Sequence, residues 1–217
     1  IGESLGTNSF KQHYVLFDAV EIPQRSLYSH ELTQLYRTSL NDINRRQRDI
    51  INCIGFKVSI EVIAKATTSE VPHIFNYGLI SPRGSANVAD PNTNGVLVNT
   101  DFFRGTQTVR GVDFSSTLSS NFINHALIND DKYHILYHKK TTLGGYPDGT
   151  EPFAKSIEFY VPINRQIRYN DGTIVSCCSP VYLVAWCDKI CNIKTAIPEQ
   201  DLTIQANASM FFKEPMN

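Results

Sequence analysis

Residues 52–67, NCIGFKVSIEVIAKAT, set Phe56, Val58, Ile60, Val62 and Ala64 in strict alternation with Lys57, Ser59, Glu61 and Lys65. A two-residue period is that of a pleated strand, whose successive side chains leave opposite faces, so the pattern predicts a long strand with one apolar and one mixed face. Residues 156–163, SIEFYVPI, repeat it with Ile157, Phe159, Val161 and Ile163 on one side and Glu158 on the other. Residues 202–214, LTIQANASMFFKE, alternate Leu202, Ile204, Ala206, Ala208, Met210 and Phe212 against polar neighbours.

Further strands are predicted at 13–22, 73–80 and 132–143, the second closed by the turn signal Ser81-Pro82-Arg83-Gly84. Residues 181–188, VYLVAWCD, are apolar almost throughout, as a strand covered on both faces would be. A short helical turn is expected within 34–43, and exposed loops at 85–99 and 144–152. Between them Leu118, Phe122, Ile123 and Leu127 fit a short amphipathic helix capped by Asp113 or Ser115, which would interrupt the sheet. After residue 163 a polar connection carrying Arg165, Arg168 and Tyr169 leads to the turn signal Asp171-Gly172. About eight strands with long, irregular loops predict an all-β fold, a single eight-stranded jelly roll of two antiparallel sheets with a short helix.

The 217 residues suit one such domain over 1–217, with no Ser/Gly/Pro-rich linker and no internal repeat. No window reaches the roughly 18 apolar residues of a membrane-spanning helix, and the opening IGESLGTNSF has no leader pattern. Cys53, Cys177, Cys178, Cys187 and Cys191 are odd in number and irregular in spacing, so reduced thiols are expected and neither a disulfide framework nor a zinc site.

A net charge of −1 is a weak basis for holding nucleic acid, so only clustered cations could do so. The clusters are Arg45, Arg46 and Arg48; Lys139 and Lys140; and Arg165 and Arg168. Three arginines near a strand entrance can neutralise phosphates with planar heads, or form a solvated loop paired with Asp42 and Asp49. Tyr137 and Tyr169, beside two of the clusters, could stack on unpaired bases, but interface or core positions are the favoured reading. His134 and His138 would share a face of a strand roughly 13 Å apart, too far for one ion. Asn129, Asp130, Asp131 and Asp148 could offer oxygen ligands to a cation, with a plain turn as the simpler reading. Cys178, His138 and Asp188 could be nominated as a nucleophilic set, yet no nucleophile elbow, cysteine-protease signature or phosphate-binding glycine motif is present. Asn207-Ala208-Ser209 matches a glycosylation pattern inside a predicted strand and is set aside. No enzyme, cofactor or metal is expected.

The order of segments resembles the capsid proteins of circular Rep-encoding single-stranded DNA viruses, the circovirus-like and geminivirus-like group. The resemblance rests on INRRQRDIINCIGFKVSIEV, IFNYGLISPRG, the stretch from DFFRGTQTVRGVDF to INDD, KYHILYHKKTTLGG, SIEFYVPINRQIRYND and PVYLVAWCD. It implies a jelly-roll subunit that self-assembles into a small icosahedral T=1 shell, 60 copies around a circular single-stranded DNA genome. Arg45, Arg46 and Arg48, with Lys139 and Lys140, would face that genome, and the loops at 85–99 and 144–152 would meet a host receptor or vector. Virion localisation, with assembly in the host nucleus, follows from the same resemblance. Such families carry a basic arm before the jelly roll, and an arm upstream of Ile1 is expected here. Apolar side chains facing away from the core, such as Ile63 and Phe211, would serve contacts between copies. The alternatives are a carbohydrate- or receptor-binding jelly-roll module, or the capsid of a small RNA or satellite virus.

Overall fold

The computed structural model describes residues 9–23, 26–35, 46, 48–64, 72–83, 97, 101–105, 111–114, 118, 120–144, 153–170, 176–178, 180–189 and 200–214. Eight principal strands form two antiparallel sheets. The larger sheet has the order β1 (Ser9–Pro23), β11 (Gln200–Lys213), β3 (Ile50–Ala64), β8 (Phe153–Tyr169), with a short β9 (Ser176–Cys178) at its edge. The smaller has the order β2 (Tyr28–Glu31), β10 (Tyr182–Lys189), β4 (His73–Pro82), β7 (Tyr133–Leu143). The chain changes sheet between β1 and β2, β2 and β3, β3 and β4, β7 and β8, β9 and β10, and β10 and β11, so neighbours in sequence face each other while partners in the ladder are distant. That is the jelly-roll arrangement of a double-sheet β sandwich.

Alternation decides which residues meet between the sheets. Phe56, Val58, Ile60 and Val62 of β3 and Leu202, Ile204, Ala206, Ala208, Met210 and Phe212 of β11 pack against Phe75, Tyr77 and Leu79 of β4 and Leu183, Ala185 and Cys187 of β10. The intervening residues of β10, Tyr182, Val184 and Trp186, are equally buried, in a second core on the opposite face. The expectation that 181–188 is covered on both sides therefore holds. The cover is the segment that the sequence left as an interruption: β5 (Phe103–Arg104) pairs with β6 (Gly111–Val112), and α1 (Ser120–His125) follows them. Phe102, Phe103 and Ile123 from this segment pack on Trp186, Tyr182 and Ile80. The helix lies over the sheet and does not break it. Leu127, assigned to its apolar stripe, is 66% exposed.

Local irregularities shape the strands. β8 does not stop at Ile163 but runs on to Tyr169 through the stretch read as a polar connection, because Ile167 and Tyr169 keep the buried parity while Arg168 stays outside. A register shift between Cys53 and Gly55 of β3 accompanies a left-handed Asn164 (φ 50°) on β8. On β7 a second shift, between the pairs Leu79–Tyr137 and Ile80–Ile135, reverses the alternation between His134 and His138. These two histidines leave opposite faces, and the shared face expected of a regular strand is corrected by the bulge. Gly78, opposite His138, allows the close approach: a Cβ there would lie 2.3 Å from the Tyr137 carbonyl oxygen. The predicted helical turn at 34–43 lies outside the described residues except for Gln34 and Leu35, which have no helical structure.

Candidate nucleic-acid interface

The arginine-rich segment enters β3 under restraint. Arg46 is fully buried: its Nε–H donates to the Leu35 carbonyl at 3.1 Å, and Nη1 donates to the Arg48 carbonyl at 3.0 Å and to Asp49 Oδ1 at 2.8 Å. Its guanidinium lies 4.3 Å from the centre of the Tyr169 ring, a cation–π distance. Tyr169 is held in turn, its hydroxyl donating to the Thr33 carbonyl at 2.6 Å and its amide to the Asp49 carbonyl at 2.8 Å. Arg46 thus fastens the basic segment to the sandwich. A phosphate could engage it only after these bonds were broken. Arg48 is half-buried, with its backbone N–H near Glu214 Oε1 at 3.3 Å, and Arg45 lies outside the described residues.

Lys139 and Lys140 are exposed and leave opposite faces of β7. Lys139 Nζ stands 5.6 Å from the Tyr137 ring centre, and Tyr137 is stacked on Phe159 at 4.4 Å with 10° between the planes. Lys140 Nζ lies 3.4 Å from His125 Nδ1. The tyrosines near both clusters are therefore packing residues, Tyr169 in the core and Tyr137 at the rim between the sheets. Arg165 reaches across the sandwich to Ser81 Oγ at 2.9 Å, whereas Arg168 is exposed on the outer face of the larger sheet. The first and third basic clusters adjoin, since Arg168 pairs with Ile50 and Arg46 covers Tyr169, whereas Lys139 and Lys140 stand on the other sheet.

The remaining sequence candidates have structural roles. His138 is half-buried, stacked on Trp186 at 5.2 Å, and its pKa is held below the ordinary histidine value by burial and then by the Lys140 charge. Asp188 is buried and accepts the Lys189 amide at 2.8 Å; the side chain of Cys178 is outside what is described. Asn129 is buried as a turn brace, its Nδ2 donating to the Asp101 carbonyl and its Oδ1 accepting the Asp131 amide, while Asp130 pairs with Arg104 at 3.3 Å. Asp148 lies outside the described residues. Cys53 and Cys187 are buried and form no disulfide among the described residues, and burial pushes the Cys53 thiol up to about 12. Among the described residues no group of three His, Cys, Asp or Glu is placed to hold a metal, and no helix is long and apolar enough to cross a membrane.

Next to Thr33 sits a feature the sequence did not suggest. Glu31 is buried, its Oε1 accepting the hydroxyls of Thr33 at 2.6 Å and Ser176 at 3.0 Å, while Oε2 has no hydrogen-bond partner among the described residues. Burial raises its carboxyl above the ordinary value, and hydrogen bonds from Thr33, Ser176 and Gln34 offset this only in part. With the folded pKa above the unfolded one, the folded state binds the extra proton. The linked stability is present below the ordinary carboxylate range and is lost as pH rises through the folded pKa. Glu31→Gln is therefore expected to gain on the wild type in urea-unfolding midpoints as pH rises above the ordinary carboxylate range. Parallel pH profiles for the two proteins would show that Glu31 does not hold the proton.

The outer face of the larger sheet contrasts with that of the smaller one. It carries Lys57 and Glu158, paired at 3.4 Å, and Tyr160, 50% exposed, whose ring meets Phe211 edge-on at 6.2 Å. Gly55 leaves room for this, since a Cβ there would stand 2.6 Å from the Tyr160 hydroxyl. Ile63 is 37% exposed farther along the same face. Ile63 and Phe211 do face away from the core as expected. Tyr160 was missed, although its place between Phe159 and Val161 already gives it the outward parity.

No protein-family model matches the chain, and no curated protein matches it. Among solved structures the chain is similar to Desmodium yellow mottle tymovirus, at 11% identity and a TM-score of 0.32, over 100% of this chain and 92% of that one. It is similar to the empty head of turnip yellow mosaic virus at 11% identity and a TM-score of 0.33, and to turnip yellow mosaic virus at 12% and 0.33, each over 100% of this chain and 86% of the other. Likeness at these values carries no argument about fold or function.

Proposed function

We propose that the chain is a non-enzymatic viral capsid subunit that assembles with copies of itself into a closed shell around a single-stranded genome. The observation that carries the reading is the asymmetry of the sandwich. The outer face of the smaller sheet is covered by β5, β6 and α1, whereas that of the larger sheet is open, with Ile63 exposed at the end of β3 away from Asn52. A closed assembly needs surfaces of this kind that pair with copies of the same chain. The jelly-roll strand order supports it, since this architecture serves shell and lectin domains, and so does the resemblance in segment order.

DNA is the genome that the resemblance in segment order implies, and the capsid of a small single-stranded RNA or satellite virus is the second reading. Arg45, Arg48, Lys139 and Lys140 remain candidate contacts to it, while Arg46 belongs to the fold. Sixty copies, T=1 symmetry, receptor contact through the outer loops, virion localisation and nuclear assembly are parts of the same proposal. Electron microscopy of the purified chain is expected to show closed shells, and nuclease sensitivity of their contents identifies the genome. A particle-free preparation that stays monomeric by light scattering, at every salt concentration and pH tried, overturns the reading in favour of a monomeric binding module.

A further inference from the structure

We infer that the bulge of the larger sheet forms a site for one nucleotide of a single strand. The inference rests on the proposed genome-enclosing function and names where that strand is held. The shift between Cys53 and Gly55, with the left-handed turn at Asn164, opens a hollow of about 320 Å³ lined by Asn52, Cys53, Ile54, Asn164, Arg165, Gln166 and Lys213. That volume is at the lower end of pockets that take small ligands.

Register places the polar groups. Lys213 pairs with Asn52 and Asn52 with Gln166, so three exposed side chains from β11, β3 and β8 stand in one row across the outer face. Phe211 is two residues from Lys213 on the same face, roughly 7 Å along the strand, and Tyr160 leans on it. Arg168 is two residues beyond Gln166, exposed on that face. The hollow is thus flanked by half-exposed aromatic rings on one side and by a cation on the other.

Amides that donate and accept, a lysine, an aromatic platform and no acidic lining residue match a sugar-phosphate unit with its base laid on the rings. A neutral sugar would use the amides and the rings but would gain nothing from Lys213. The side chain of Arg165 runs beneath the hollow to Ser81 and adds positive potential from below. Binding is independent of sequence, because every base has a face to stack and every nucleotide a phosphate.

The test is fluorescence anisotropy of labelled ten-nucleotide oligothymidylate and oligouridylate against the 217-residue chain over a salt series. Both probes are expected to bind, more weakly as salt rises. Lys213→Ala is expected to reduce the slope of log K against log salt by about 0.7, the loss of one single-strand phosphate contact. Tyr160→Leu is expected to weaken binding about tenfold at fixed salt without changing the slope. Melting temperatures of both variants stay at the wild-type value, which separates lost contacts from lost fold. Binding that ignores salt, no binding at low salt, or two variants indistinguishable from wild type each overturn the site. Shells that form while neither variant changes binding reject this site and leave the capsid reading in place. Variants that weaken binding in a chain that never forms shells leave the site and reject the capsid reading.

Discussion

Arg46→Ala is expected to lower the stability of the subunit by about 3 kcal/mol, the scale for removing one partner of a buried ion pair. The loss has three sources. Leu35 and Arg48 carbonyls lose their donor, Asp49 loses its counter-charge, and the face of Tyr169 loses the guanidinium that covers it. Asp49 is 38% exposed and can turn to water, which keeps the figure at the lower end of the range for buried pairs. In a domain of this size that is roughly a 10 °C fall in Tm. Arg46→Met separates packing from charge, since it keeps a long apolar stem on Tyr169 and loses only the bonds; its loss is expected to be about half as large. Lys140→Ala, at an exposed site, is expected to change stability by less than about 0.5 kcal/mol. Urea unfolding of the three variants checks the order. Arg46→Ala as stable as wild type, with weaker nucleic-acid binding, would instead place this arginine at the genome.

Trp186→Ala is expected to cost about 4 kcal/mol, within the range for emptying a buried aromatic site. Trp186 is fully buried, meeting Phe102, Phe103 and Phe114 edge-on at 5.4, 5.9 and 6.0 Å and stacking on His138. Its Nε1–H donates to the Ile123 carbonyl at 3.2 Å, tying α1 to the sheet. The damage is expected to be uneven. β3 and β11 pack in the other core and do not touch this ring, so hydrogen exchange should speed up at α1, β5 and β6 well before it does in the larger sheet. Trp186→Phe keeps the ring contacts and gives up the hydrogen bond, with an expected loss near 1 kcal/mol beyond the volume term. Equal loss of protection across both sheets in Trp186→Ala would show that the cover and the sandwich unfold as one unit.

How much could be read from the chain depended on where each pattern came from. β3, β4, β7, β10 and β11 were placed to within a few residues, β3 and β11 because half-burial writes alternation into the sequence, β4 and β10 because burial on both faces writes a continuous apolar run. β2, four residues long, and the two-residue β5 and β6 are too short to carry a period. The far half of β8 was lost because Asn164, Arg165, Gln166 and Arg168 look like loop residues, yet Ile167 and Tyr169 keep the inward parity. The arginine cluster was legible as charge and misleading as a surface. Nothing local announces that Arg46 turns inward, because its partners include Leu35 and Tyr169, the latter more than a hundred residues away.

The all-β class, the apolar stripes and the doubly buried character of β10 follow from the sequence alone, because they are periodicities, and a periodicity is a property of adjacent residues. Which stripe faces which, and that Arg46 is interior while Lys213, Asn52 and Gln166 stand in one row, came only with the tertiary structure. Those relations join strands distant in sequence, and single-residue shifts at Gly55 and Leu136 set them by moving whole sets of side chains from one face to the other.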